Sequence, residues 1–359
     1  MVDLNGVNCL LMTPFDAKGN VDFDSLAVVA DDVIKGGVNS VVANGKIGEF
    51  EVLTQVERRE IIDMMVSYVG GKVPVGFGII NATYEEGISL SKHAASVGAD
   101  FVMSRPPTDG DIYRYFTEIS DHIALMPYDQ GTRGELSIKE DILPLCENSK
   151  NIVGLKISGN PDKIIEAKEL LDVPILCGWD LMSLLAYEMG SDGVISGSAC
   201  LVPEDEVEMY KYSMSNNWNA ARDIYYNKVL PLLNYCTFDP FAYSVCKYVL
   251  YWKGLIKTKD VRLPNPDAGD KRVRELYEML KIIDIDIKDD LVELTLQYPE
   301  IKKELLQIVN KQLFNPEINS ALGTIAKGVD SKTILELKKD ISWKTLNDSE
   351  ILFNEGDIG

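Results

Sequence analysis

Short apolar runs alternate along the chain with longer amphipathic stretches. The apolar runs, often flanked by glycine, proline or aspartate, predict buried strands, and the amphipathic stretches predict helices. The predicted strands are Val7 to Met12, Ser40 to Ala43, Pro74 to Gly78, Phe101 to Met103, Ala124 to Tyr128, Ile152 to Lys156, Val173 to Cys177 and Gly193 to Ser196. The predicted helices include Asp24 to Lys35, Gln55 to Val69 and Thr83 to Val97. The repeat interval of roughly 20–35 residues is typical of β-α-β units.

Eight such units within about 200–250 residues favour a closed (β/α)8 barrel of the TIM-barrel class, with a C-terminal helical extension. The alternative is a doubly wound open sheet, which usually carries a glycine-rich phosphate loop after its first strand. Here the first strand is followed by Thr13-Pro14-Phe15-Asp16, which is no such loop. We therefore predict the barrel.

The strand pattern stops after Pro203, and this divides the chain into three predicted parts. Residues 1–202 are predicted to form the barrel, and residues 203–288 to form C-terminal helices packed on it. Residues 289–359 stay helical and highly charged in composition. They are predicted to form an extra helical appendage, to which the pattern assigns no role.

Charge and composition exclude several classes of partner. The chain has 36 basic and 56 acidic side chains and a formal net charge of −20, which argues against nucleic acid and membrane surfaces as partners. No leader pattern and no apolar stretch of membrane-spanning length is found, so a cytoplasmic location is predicted. The six scattered cysteines predict reduced core thiols. The two histidines, His93 and His122, form no ligand cluster, so no metal site is expected.

In a barrel of this class the reactive side chains lie at the carboxyl ends of the strands. The candidates there are Thr13 after strand one, the run Asn44 to Glu49 after strand two, Ser104-Arg105 after strand four, Tyr128-Asp129 at strand five, Lys156 at strand six, Gly178-Trp179-Asp180 after strand seven and Ser196-Gly197-Ser198 at strand eight. Lys156 is the sharpest signal, because it ends the apolar run Ile152 to Leu155. A lysine held in a desolvated barrel mouth can act as a nucleophilic amine. The alternative is a lysine that extends from the strand end to pair with a carboxylate.

Tyr128 ends strand five, which neighbours strand six in a barrel. A tyrosine at that place can transfer protons to and from a substrate held at Lys156. The alternative is an aromatic side chain at the edge of the core. Gly45 and Gly48 bracket a loop whose backbone N–H groups could face an anion, although a lone GxxG is a weak signal.

Several stretches together resemble the dihydrodipicolinate synthase / N-acetylneuraminate lyase family, in collinear order over about the first 285 residues. They are Leu11-Met12-Thr13-Pro14-Phe15, Gly45-Lys46-Ile47-Gly48-Glu49-Phe50, Gly98-Ala99-Asp100, Pro127-Tyr128, Gly154-Leu155-Lys156-Ile157-Ser158-Gly159, Gly193-Val194-Ile195-Ser196 and Arg262-Leu263-Pro264. The resemblance implies a (β/α)8 barrel with C-terminal helices and a homo-oligomer, a tetramer or a dimer. It also implies class I aldolase chemistry through a lysine Schiff base, without a metal or other cofactor, on a small 2-oxo acid.

The resemblance also assigns roles to residues. It makes Lys156 the Schiff-base lysine and Tyr128 the tyrosine that transfers protons. It makes the 45–48 loop, with Gly45, Lys46 and Ile47, the site for the carboxylate of the 2-oxo acid. Arg133 matches an arginine that binds a second substrate's carboxylate, and Ile195 matches a strand-eight position whose carbonyl lines the site.

The departures from the family pattern concern the proton relay. The family usually has two hydroxyl residues where this chain has Lys46 and Ile47, and the synthases place a tyrosine just after strand four, where this chain has Ser104-Arg105. These losses argue against a true dihydrodipicolinate synthase. The replacements Lys46 and Arg105 predict a cationic mouth that binds a second anionic group. The alternative is that both cations pair with Glu49, Asp129 or Asp180.

Two functions follow. The first is a Schiff-base lyase, an aldolase or a dehydratase, acting on a pyruvate-type or keto-deoxy sugar acid. The second is a catalytically weak barrel that binds 2-oxo acids or serves as a structural or regulatory subunit.

Overall fold

The computed structural model describes residues 2–131, 134–236, 241–293 and 295–296, together with two short strands near the C-terminus. Eight parallel strands pair in chain order and close into a barrel, the first pairing with the eighth. The strands are β1 (Gly6–Leu10), β2 (Ser40–Ala43), β3 (Val75–Ile79), β4 (Phe101–Ser104), β5 (Leu125–Asp129), β6 (Leu155–Ile157), β7 (Ile175–Cys177) and β8 (Gly193–Ser196). The predicted (β/α)8 barrel is confirmed.

Every residue of the eight barrel strands is buried, because the helices cover the outside of the barrel and side chains fill the inside. The helices of the barrel are α1 (Phe23–Lys35), α2 (Gln55–Val69), α3 (Tyr84–Val97), α4 (Ile112–Ser120), α5 (Leu143–Asn148), α6 (Asp162–Leu170) and α7 (Ser183–Glu188). In the part of the chain that the structure describes, five further helices follow: α8 (Pro203–Met214), α9 (Trp218–Ile224), α10 (Leu230–Cys236), α11 (Ala242–Trp252) and α12 (Gly269–Ile282).

Local signals explain where the helices begin. Thr54 and Thr83 each accept a hydrogen bond from the backbone N–H three residues on, and Glu57 and Glu86 reach back to the two cap residues. These reciprocal bonds satisfy donors that the first turn of a helix leaves unpaired. Gly98, with φ of +88°, ends α3 in the left-handed conformation that glycine adopts without strain.

The barrel interior is a packed apolar core that supports the strand ends. It includes Leu10, Phe101, Met126, Leu176 and Ile195. Tyr128 belongs to the same cluster, so its ring is fixed by packing against the apolar core of the barrel. A rigid core of this kind positions side chains at the barrel mouth.

The chain divides into two compact units, one of residues 1–269 and 275–287, and one of residues 270–274 and 288–359. In the second unit the strands β9 (Thr345–Leu346) and β10 (Glu350–Ile351) pair antiparallel. Most of the predicted appendage, 289–359, lies outside the described residues. None of the helices in the part that the structure describes has the length and apolarity needed to cross a membrane.

Candidate active site

Lys156 and Tyr128 are direct neighbours at the mouth of the barrel. They pair in the register of β5 with β6, so both side chains leave the sheet at the same level. The Lys156 Nζ lies 4.1 Å from the centroid of the Tyr128 ring. Lys156 is only 2% exposed and Tyr128 only 4% exposed. The structure thus places a desolvated amine over an aromatic face.

Gly178, just after β7, provides the space that Lys156 occupies. A Cβ atom at this position would lie 2.1 Å from Lys156 Cε and 2.2 Å from the Ser158 hydroxyl oxygen. Both distances are shorter than any real contact, so only glycine fits while Lys156 keeps its place. The sequence shows Gly178 at a strand end, but only the structure shows what it makes room for.

A cavity of about 320 Å³ opens beside Tyr128. Its lining residues are Lys46, Phe50, Glu51, Ile80, Asn81, Arg105, Tyr128 and Gln130. Lys46 and Arg105 therefore border the same cavity as the tyrosine, as the cationic-mouth hypothesis requires. Arg105 Nη1 donates to Asn81 Oδ1 at 2.7 Å. Lys46 Nζ lies 3.3 Å from Glu51 Oε1, in a pair whose side chains are 45% and 41% exposed.

The alternative partners proposed for Lys46 are held by other groups. Glu49 pairs with Lys247, and Asp129 pairs with Lys163 at 2.9 Å. Asp180 accepts the Gly197 N–H with both carboxylate oxygens, each at 3.1 Å. The structure therefore pairs Lys46 with Glu51, a residue that the sequence analysis did not consider, and leaves Lys46 beside the cavity.

The loop after β2 is a short turn of 3-10 helix from Lys46 to Gly48. The Gly48 and Glu49 N–H groups donate to the carbonyls of Gly45 and Lys46, at 3.1 Å each. Gly45 lies close to Leu10, because a Cβ atom at this position would lie 2.7 Å from Leu10 Cδ2. The Ile47 side chain is partly buried and packs against the barrel core.

The remaining predicted residues differ in what the structure shows. The Ile195 side chain is buried in the barrel core. Arg133 lies outside the described residues, so its predicted role stays a prediction. Among the residues that the structure describes, no three His, Cys, Asp or Glu side chains are grouped as metal ligands.

The acidic side of the mouth was only partly predictable from the sequence. Asp180 was a candidate after strand seven and a possible ion-pair partner, but its interaction with Lys156 was not predicted. Burial raises the pKa of Asp180, while the Gly197 N–H and Lys156 act in the opposite direction. Its place after β7, at the carboxyl end of a barrel strand, was the available signal.

Comparison with known proteins identifies relatives of this architecture. The model of the dihydrodipicolinate synthetase family matches residues 3–283. The chain is 33% identical over 287 residues to the 4-hydroxy-tetrahydrodipicolinate synthase of Methanocaldococcus jannaschii, a match that covers 77% of this chain and 97% of that protein.

Solved structures agree on the fold. The dihydrodipicolinate synthase of Aquifex aeolicus superposes with a TM-score of 0.72 at 26% identity, covering 79% of this chain and 99% of that one. A prophage protein of E. coli K12, solved in complex with pyruvate, gives a TM-score of 0.72 at 24% identity, over 79% of this chain and 99% of its own. Lyases of this family are Schiff-base class I aldolases that act on pyruvate-type substrates. Because the match runs from before β1 to the end of α12, the chain belongs to the dihydrodipicolinate synthetase family, as a divergent member.

Proposed function

We propose that this chain is a Schiff-base lyase, an aldolase or a dehydratase, that acts on a 2-oxo acid carrying a second anionic group. The observation that carries the proposal is the position of the Lys156 amine, almost fully desolvated and 4.1 Å from the ring of Tyr128. A lysine amine that is buried at a barrel mouth can act as a nucleophile. The cavity that Tyr128 lines offers room for a small acid.

In the proposed reaction the neutral Lys156 Nζ attacks the keto carbon of the acid. A C–N bond forms as the carbonyl π bond breaks. The nitrogen gives up one proton and the keto oxygen takes one, which gives a neutral carbinolamine. The carbinolamine hydroxyl takes a second proton and leaves as water, which gives the protonated Schiff base. Tyr128, on the neighbouring strand, is the group placed to deliver and recover these protons.

The substrate's carboxylate is proposed to bind at the 45–48 loop. The N–H groups of Lys46 and Ile47 precede the first hydrogen bond of the turn, so neither is used by the turn itself. Successive N–H groups of this kind can bind an anion. Lys46 and Arg105, on the cavity wall, are proposed to bind the second anionic group. Arg133 remains a predicted contributor, and homo-oligomeric assembly and cytoplasmic location remain predictions.

The decisive experiment is trapping with borohydride in the presence of pyruvate. Reduction should fix pyruvate on one lysine, and peptide mapping should identify it as Lys156. Lys156→Ala should abolish the adduct, whereas Lys150→Ala, at an exposed position, should leave it unchanged. Absence of an adduct in the parent protein would refute the proposal. An adduct without turnover on any sugar acid would favour the alternative, a barrel that only binds 2-oxo acids.

The same protein should be a poor dihydrodipicolinate synthase. Lys46 and Ile47 supply no hydroxyl next to the reacting centre, and Arg105 stands where the synthases have a tyrosine. A coupled assay with pyruvate and aspartate semialdehyde should therefore give far less than about 1 s⁻¹, an ordinary enzyme turnover.

Lys46→Thr is expected to weaken the binding of a dicarboxylate ligand much more than the binding of pyruvate. The loss should be roughly 1.5–3 kcal/mol, the value of a charged hydrogen bond, measured as competition against trapping. It should also raise the pH at which Lys156 reacts, because a neighbouring positive charge is removed.

Glu51→Gln is the matched control, because it removes the partner that Lys46 now has. It should leave dicarboxylate binding intact or strengthen it, since Lys46 is then freed. If both variants weaken the binding of pyruvate and of the dicarboxylate equally, Lys46 serves only the surface ion pair with Glu51.

A further inference from the structure

A cluster of polar groups lies at the end of β8. It consists of Ser196, Ser198 and Glu206, which are buried, and Asp180, which is half-buried. Glu206 lies in the first turn of α8 and is fully buried, although its neighbours Glu204 and Glu208 are exposed. A buried carboxyl group without a cation beside it is costly, so its position needs an explanation.

Two hydroxyl groups connect the carboxyls of the cluster. The Ser198 hydroxyl donates to Glu206 Oε1 in a short bond, and the Ser196 hydroxyl lies 3.4 Å from the same oxygen. The two hydroxyl oxygens are 3.1 Å apart. Glu206 Oε2 has no hydrogen-bond partner among the described residues. This polar atom is therefore a place where a proton can be held.

Asp180 connects the cluster to the amine. Gly197, between the two serines, donates its N–H to both oxygens of Asp180. Ser196 favours the charged form of Asp180 as well as that of Glu206. Asp180 lies two residues after Gly178, where an added Cβ atom would come within 2.1 Å of Lys156 Cε, so the carboxyl follows the residue that contacts the amine's side chain. The charge of Lys156 favours the ionised form of Asp180, and the charge of Asp180 disfavours the ionised form of Glu206.

Titratable groups surround Glu206 on several elements. They are Asp180 and Cys177 at the end of β7, Tyr187 on α7, Tyr225 after α9, Cys9 on β1 and Asp205 on its own helix. Asp205 is paired with Lys228 at 2.9 Å. Burial, and then the charge of Asp180, raise the pKa of Glu206 to about 8. Burial raises the pKa of Cys177 to about 12, so this thiol stays neutral.

We propose that Glu206 is a positioning residue that, through Asp180, sets the charge state of Lys156, and that Asp180 is the counter-ion of the protonated Schiff base. The proposal rests on the function proposed above, in that Lys156 is the reacting amine. A protonated Schiff base keeps a positive charge in a buried site, and Asp180 is the nearby carboxylate that compensates it.

Neutral Glu206 has a separate part in this arrangement. If both carboxyls were charged, they would hold Lys156 more firmly as an unreactive ammonium. While Glu206 keeps its proton, one negative charge remains, enough to balance the Schiff base without suppressing the free amine. Above about pH 8 Glu206 ionises, and the amine is then held more strongly in its charged form.

The test is the pH profile of carbamylation of Lys156 by cyanate, followed by mass spectrometry of its peptide between about pH 6 and pH 10. The parent protein should give a broad curve, because Glu206 ionises within the same range. Glu206→Gln should give a single-proton curve with its midpoint lower by about half a unit to one unit. Glu204→Gln, in the same turn but exposed, should match the parent.

Two further variants keep the test decisive. Asp180→Asn should lower the midpoint, and Glu206→Gln added to it should then change little. If Glu206→Gln does not fold, Ser198→Ala should lower the midpoint too, since a carboxyl without this donor ionises later. Superimposable curves for the parent and the variants of the cluster would overturn the proposal. Cyanate reacts with Lys156 in the absence of substrate. The carbamylation profile therefore tests this inference independently of pyruvate trapping, which tests the proposed function.

Discussion

Replacing Tyr128 by phenylalanine is expected to slow turnover about 10²–10⁴-fold while leaving the Lys156 adduct trappable with borohydride. The change keeps the ring, and with it the contact in which Lys156 Nζ lies 4.1 Å from the ring centroid. It removes only the hydroxyl that exchanges protons with the bound substrate. The steady-state rate on a sugar acid should therefore fall, while pyruvate is still trapped on Lys156.

Tyr115→Phe is the matched control. Tyr115 is fully buried, and its hydroxyl lies 3.2 Å from that of Ser104 at the end of β4, but it does not line the cavity. Burial raises the pKa of Tyr115 to about 12, which makes it unfit for proton transfer near neutral pH. Its loss should leave turnover close to that of the parent protein. A Tyr128→Phe variant that turns over within a few-fold of the parent would remove Tyr128 from the mechanism.

The barrel could be predicted because its strands are buried on both faces and read as apolar runs. Two predicted strands, Ser40–Ala43 and Gly193–Ser196, agree with the structure at both ends. Strand six was predicted from Ile152 but begins at Leu155. Ile152 forms only an isolated bridge with Leu125, and its stretch is nevertheless buried. Apolarity reports burial, whereas a strand begins where continuous pairing begins, and the sequence does not show this difference.

The candidate site could be predicted in part for a geometric reason. Residues at the ends of consecutive strands are neighbours in a barrel, so Lys156 and Tyr128 had to lie side by side. Lys46 follows β2 and Arg105 follows β4, which are not adjacent, but the carboxyl ends of all the strands open on one face of the barrel, and both residues line one cavity there. The rule cannot name ion-pair partners, because Glu51 reaches Lys46 through the local path of the loop after β2.

Glu206 could not have been predicted from its surroundings in the sequence. It lies in the run Pro203-Glu204-Asp205-Glu206, and acidic residues in a first helical turn are ordinarily solvated and favoured by the helix dipole. Its burial depends on how α8 packs against the end of β8, and that packing also supplies the Ser198 donor. Three-dimensional packing, and not the local sequence pattern, explains why Glu206 is buried while Glu204 and Glu208 are exposed.

A second large effect is expected away from the chemistry, at the buried pair of Glu49 and Lys247. Their side chains are fully buried, with Glu49 Oε1 and Lys247 Nζ 2.5 Å apart. Glu49 also accepts the Asn265 amide at 2.7 Å and has a left-handed backbone conformation, with φ of +54°. It thereby connects the loop after β2, which ends at this residue, to α11 and the segment that follows it.

Lys247→Met is expected to lower the free energy of unfolding by about 3–5 kcal/mol, the cost of leaving one member of a buried pair uncompensated. Urea unfolding at pH 7 measures the change while the lysine carries its charge, because burial lowers the pKa of Lys247 only to about 8. Adding Glu49→Gln should recover much of the loss, since the amide oxygen still accepts from Asn265 and no buried charge remains.

Lys257→Met, which removes an exposed partner of Asp22 and Asp24, should leave stability almost unchanged. If the single and double variants at the buried pair are equally unstable, loss of the contact between Lys247 Nζ and the Phe15 ring, and not the unpaired carboxylate, explains the effect.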